Sequence, residues 1–172
     1  SPYILTDKSV FLSINTHSGA MQHIVSLLNT AISVGIDSDA KFVEPRRRVN
    51  DALHPISDSF GARAVSSTVV GNPGAYTNFY PATHVLVDTV GYTRTKVRRI
   101  VSTCAKSATI KVILVSIPET DVKEKERLLF DCGLLPGKLE YRKHGEDDLF
   151  LYMRVYVDGA RGQDYHYVYG FV

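Results

Sequence analysis

The chain has 172 residues, 44% of them apolar and 22% charged, and a net charge of +2. That length suits one domain over 1–172 with a single core, the composition excludes a disordered chain, and so small a charge does not by itself imply a nucleic-acid partner. No run reaches the ~18 apolar residues of a membrane span, and Ser-Pro-Tyr-Ile at the start lacks the basic then apolar pattern of a secretory signal, so a cytoplasmic or virion-internal setting is expected.

Val10 to Ile14 reads as a short strand, and Asn15 to Gly19 as a turn with N-cap residues. Met21, Ile24, Val25, Leu28, Ala31 and Ile32 then recur at helical steps, with Gly35 as the stop. A second helix opens at Glu44-Pro45, carries Val49, Leu53, Ile56 and Phe60 on one face, and meets a kink at Pro55. From Ala64 the period changes to that of a strand ending at Val70, which Gly71-Asn-Pro-Gly74 turns into a second strand, Ala75 to Tyr80, as a hairpin. His84 to Val90 is a nearly continuous apolar strand, Thr95 to Ser107 a helix, Ile110 to Ser116 another buried strand, and Pro118 to Cys132 a helix capped by Gly133. Lys138 to Arg142 and Leu149 to Val157 form a hairpin across His144 to Asp148, and 164–172 extends the chain as an aromatic strand with Tyr165, Tyr167, Tyr169 and Phe171 on one side.

Cys104 and Cys132 fall in predicted helices without CxxC or zinc-like spacing, and read as small core hydrophobes. His17 and His23 lack the i, i+4 spacing of a helical metal pair, so no metal is expected. Arg46-Arg47-Arg48 at a helix start opposes the helix dipole and invites a partner, acidic protein or phosphate.

The segment 84–134 carries the functional reading: a strand, a basic loop opening a helix, a second strand, and a helix ending at glycine. Free N–H groups at a helix start flanked by Arg and Lys suit a pyrophosphate, which makes Val90, Tyr92, Thr93, Arg94, Thr95, Lys96 and Val97 the candidate cofactor contacts. Asp88, at the C-terminal end of a central strand where open sheets bind ligands, is the preferred general base. His84 is the second candidate, an imidazole at the strand's start.

The order of elements, with Tyr92 to Val97 after the strand and Leu128-Leu-Phe-Asp-Cys-Gly-Leu134 ending the next helix, resembles the GNAT acyltransferase superfamily. The resemblance implies a mixed, mostly antiparallel sheet of six or seven strands flanked by four helices, splayed between 84–90 and 109–116. It also implies acetyl-coenzyme A as cofactor and an amine, on a small molecule or protein, as acceptor. Thr95 and Val97 stand at the family's loop glycines, where Arg94 and Lys96 compensate by charge, and Leu129 stands at the tyrosine that protonates the departing thiolate. An alternative on the same scaffold is a non-catalytic binding or assembly component of viral type, a homo-oligomer working through the basic clusters and the tyrosine-rich tail.

Overall fold

A computed structural model describes residues 5–17, 19–29, 32–59, 66–116, 127, 131, 134–143, 150–158 and 165–171. In chain order these form β1 (Val10–Ile14), α1 (Ala20–Asn29), β2 (Ile32–Asp37), α2 (Ala40–Ser59), β3 (Ser66–Val70), β4 (His84–Asp88), α3 (Arg94–Ala105), β5 (Val112–Ser116), β6 (Leu134–Lys143), β7 (Phe150–Asp158) and β8 (Tyr165–Phe171). They build one eight-stranded sheet in the order β3-β2-β1-β4-β5-β8-β7-β6. β1 to β5 are all parallel, β8 joins β5 in parallel at Val112 and Tyr167, and β6, β7 and β8 pair antiparallel.

The α/β class expected from the sequence is present; a mostly antiparallel sheet is not. Three further expectations fail. Ile32 to Asp37, read as the end of the first helix with Gly35 as its stop, is strand β2, parallel to both β1 and β3. Ile32, Val34 and Ile36 alternate with Ser33, Gly35 and Asp37, and three apolar residues at period two are too few to distinguish from a fraying helix. Val70 does not turn into a hairpin: β3 lies at the sheet edge, Pro73–Ala75 is a single 3₁₀ turn capped by Asn72, and 76–80 is not a strand. β4 and β5 stay paired from His84 with Val112 to Asp88 with Ser116, so the expected splay between them is absent. The second helix begins at Ala40, which places Pro45 inside it together with Pro55 rather than in the first turn. The hairpin of β6 and β7 matches expectation, whereas the helix expected over 118–132, with its Gly133 cap, lies largely outside the described residues.

Two helical layers cover the five parallel strands. α3 supplies Val97, Ile100, Val101 and Cys104 to a core with Leu12, Ile14, Val85, Val87, Ile113 and Val115. α1 lies on the opposite face, where Val25 meets Phe11 and Leu86. Helices on opposite faces of neighbouring strands β1 and β4 define the point at which the sheet reverses its winding. The crevice that open α/β sheets use for ligands lies at such a point, beyond the C-terminal ends of the strands.

Candidate functional site

Asp88 ends β4 at that crevice, half-buried, with Oδ1 accepting from the Val90 N–H at 2.9 Å. Asn15, the residue after β1, is buried and left-handed (φ 59). Its side-chain amide donates to the carbonyls of Asp88 at 3.1 Å and Val90 at 2.9 Å, tying the loop after β1 to the loop after β4. His17 follows with φ 33, its ring edge-on to Phe42 at 4.6 Å and its Nδ1 at 3.9 Å from Asp88 Oδ2.

From β2 comes Asp37, which is sealed rather than open. Oδ1 accepts from the Asp39 N–H at 3.1 Å, Oδ2 is 2.7 Å from Arg46 Nη2, and both side chains are 1% exposed. Arg46 Nε donates to the His17 carbonyl at 2.7 Å, so one guanidinium joins the loop after β1 to the end of β2. Gly19, at φ +66, leaves room for the Arg46 stem, which a Cβ there would approach to 2.8 Å. Burial depresses the Arg46 pKa, and the Asp37 charge and hydrogen bond oppose that shift. The basic triplet therefore needs no outside anion: Arg46 is this buried partner, Arg47 Nε donates to the Thr68 carbonyl at 3.3 Å, and Arg48 pairs with Glu44 one helical turn away at 3.4 Å.

Tyr92 reaches from the β4 loop toward the end of β2. Burial raises its hydroxyl pKa; Ser38 draws it down, Asp37 and Asp88 push it up, and Arg46 draws it down again, a set that places the phenol between the two strand ends. The Lys96 ammonium lies 3.7 Å from the centre of the Tyr92 ring, a cation–π contact. Burial lowers the Lys96 pKa, and Asp37 opposes that shift.

The structure thus brings Asp88, Tyr92 and Lys96 to the crevice and separates them from the other candidates. His84 sits at the far end of β4, buried with Nδ1 2.8 Å from the Thr83 hydroxyl, and about 13 Å from Asp88 at a strand's rise of ~3.3 Å per residue. Residues 93–97 are the cap and first turn of α3. Thr93 accepts from Lys96 N–H at 3.3 Å, Thr95 is exposed, Val97 is buried in the core, and Arg94 points outward to Asp131 at 4.0 Å. Val90 is half exposed beside Asp88. Sequence reasoning missed Asn15, His17, Asp37 and Arg46. The available signal was Asn15 to Gly19 following the first strand, because in a parallel sheet that loop lies at the crevice. Among the described residues no group of His, Cys, Asp and Glu is placed to hold a metal ion, and no helix is long and apolar enough to cross a membrane.

No protein-family model matches the sequence, and no curated protein matches it. Solved structures do. A chain of the complex between the Haloferax volcanii Trm112 methyltransferase activator and a methyltransferase matches with TM-score 0.60 at 13% identity, covering 84% of this chain and 70% of that one. A SAM-dependent methyltransferase from Methanosarcina mazei matches with TM-score 0.58 at 13% identity over 83% and 87% of the two chains. The precorrin-6y C5,15-methyltransferase of Geobacter metallireducens GS-15 matches with TM-score 0.57 at 16% identity over 88% and 78%. This chain has the fold of these methyltransferases. Among other matched structures, the share of the second chain that is spanned falls to 59%. At such identities the likeness is one of fold, and it replaces the GNAT resemblance. Strand, helix and strand recur in parallel α/β sheets generally, so 84–134 could not distinguish the two folds; the direction and order of β1 to β5 do. Acetyl-coenzyme A, acyl transfer to an amine and the assembly role on a GNAT scaffold lose their basis with it.

Proposed function

We propose that the chain binds S-adenosylmethionine beyond the C-terminal ends of β1, β2 and β4 and transfers its methyl group to a small-molecule or protein acceptor. The observation that carries this reading is the juxtaposition, at the reversal point of a methyltransferase-type sheet, of the half-buried Asp88 carboxylate and the Tyr92 ring. A sulfonium cation is stabilised beside a carboxylate and against an aromatic face. Asp37 is only 1% exposed and is held by Asp39 N–H and Arg46, so its carboxylate is closed to the ribose hydroxyls. Exposed Ser38 and half-buried Asp39, next along the chain, are the groups that would hold them. When bound, the cofactor supplies an electrophilic methyl carbon and a sulfur leaving group; the protein's part is to orient, to exclude water and to hold charge.

Calorimetric titration with S-adenosylmethionine and S-adenosylhomocysteine tests the site. Both are expected to bind, and Asp88→Asn is expected to weaken the sulfonium form more than the neutral thioether by about tenfold, or ~1.4 kcal/mol. Thermal stability should rise by about 2.7 kcal/mol at a ligand concentration near 100 times Kd. Absence of binding by both ligands at millimolar concentration overturns the reading.

A further inference from the structure

We propose that His17 is the proton acceptor of this site and that Asp88 is its positioning residue, an assignment that rests on the methyl-transfer reading. His17 has φ 33, a left-handed backbone conformation disfavoured for a non-glycine residue. The surroundings hold it there: buried Arg46 binds its carbonyl at 2.7 Å while anchored to Asp37, and Phe42 braces the ring at 4.6 Å. Strain that neighbouring structure enforces at a strand end beside a crevice is characteristic of functional positions. The ring is 38% exposed, open to an acceptor, whereas Asp88 is 22% exposed and fixed by Val90 N–H.

Nδ1 faces Asp88 Oδ2 at 3.9 Å, an ion-pair separation that a small rotation of the imidazole closes to a hydrogen bond, as such contacts do when a ligand arrives. A carboxylate opposite Nδ1 holds the proton of the neutral ring on that nitrogen and leaves Nε2 with its lone pair free. The charged groups around the ring are Asp88 after β4, Asp39 and Lys41 at the start of α2, and Arg46 at its carbonyl. In the transfer, an N–H or O–H bond of the acceptor breaks and its proton passes to Nε2. The electron pair released forms the bond to the methyl carbon, and the carbon–sulfur bond breaks with its pair kept on sulfur, turning sulfonium into thioether. No nucleophile of the protein is consumed.

The test reads the imidazole directly. In long-range ¹H–¹⁵N spectra of uniformly labelled protein, the His17 signal is assigned by its loss in His17→Gln. With the ring in its neutral form the proton is expected on Nδ1, and Asp88→Asn is expected to move it onto Nε2. A wild-type ring protonated at Nε2, or a tautomer indifferent to Asp88→Asn, overturns the assignment. Titration with S-adenosylhomocysteine separates this from the parent reading. Wild type and His17→Gln should bind within about threefold of each other; loss of more than tenfold in His17→Gln makes His17 a cofactor contact and overturns its role as base. A wild type that binds neither cofactor form removes both proposals, whereas binding with the wrong tautomer removes only this one.

Discussion

The two faces of the parallel sheet are built from different chemistry. Under α3 the core is apolar throughout, with Ile14, Val85, Val87, Ile100, Val101 and Ile113 each wholly buried. Under α1 and α2, among the described residues, Phe11, Val25 and Leu86 form a smaller apolar cluster with Leu5 and Leu114 against it, Val43 is buried, and many of the other buried groups are polar: Ser33, Asp37 and Thr68 of the strands, and Gln22, His23, Ser26 and Arg46 of the helices. Gln22 Nε2 alone donates to Ser66 Oγ at 2.9 Å and the Ser67 carbonyl at 2.7 Å, and reaches Thr68 Oγ1 at 3.2 Å. The apolar face holds the sheet together without directional demands. The polar face is directional, and its last members, Asp37 and Arg46, end on the His17 carbonyl, so the order it imposes is delivered to the crevice. One face supplies cohesion and the other supplies position.

The strongest way to break the polar face is Arg46→Met, which leaves the Asp37 carboxylate buried without its cation. The expected loss is roughly 3–5 kcal/mol by denaturant unfolding, with most of it recovered in Arg46→Met with Asp37→Asn, because the uncompensated charge is then gone. On the apolar face Ile100→Ala opens a cavity and should cost about 2–5 kcal/mol. Volume-conserving swaps sharpen the contrast: Ile100→Met should cost less than ~1.5 kcal/mol. Gln22→Met, similar in size, should cost about 1–3 kcal/mol because the groups it serves lose a partner in a buried setting. Equal costs for the two swaps would erase the distinction between the faces.

Two glycines give a smaller test. A Cβ on Gly35 runs into Gln22 Oε1 and lies 3.2 Å from Arg46 Nη1, so Gly35→Ala should disturb the network and cost roughly 1–3 kcal/mol by overpacking. Gly91, at φ +74 with nothing near its missing Cβ, should lose only the left-handed penalty of about 1–2 kcal/mol on Gly91→Ala. Guanidinium melts of both variants check the order.

The smallest effect is one of pH. Burial lowers the His23 pKa below its ordinary 6.5, the neighbouring Asn50 side chain opposes this and the Arg46 charge adds to it. Because the folded state resists the proton that the unfolded chain accepts, His23 contributes nothing above pH 6.5 and destabilises the protein as pH falls below it. Stability measured from about pH 7 down to about pH 5 should decline less steeply in His23→Gln than in wild type; parallel slopes would refute the assignment.

Local patterning was enough to locate β1, β4, α3, β5 and the β6–β7 hairpin, because continuous apolar runs, three-to-four-residue periodicity and turn residues act over a few positions. It also marked Asp88 and Tyr92 as residues following a central strand. What tertiary structure decided was everything set by distant pairing. The nearly continuous apolar runs of β4 and β5 are those of strands buried on both faces, which parallel sheets favour, but two such runs do not fix which strands flank them or in what order. Ile32 to Asp37 became a strand because β1 and β3 flank it, and Gly35, which looked like a helix stop, is there to admit Gln22 and Arg46. Arg46 read as one of three basic residues inviting an outside partner, and only its approach to Asp37, nine residues earlier, made it a buried bolt. His17 and Asp88 lie far apart in the chain, and the parallel pairing of β1 with β4 carries both to one edge. Short-range periodicity resides in the sequence; the meeting of distant side chains exists only once strand order and direction are set.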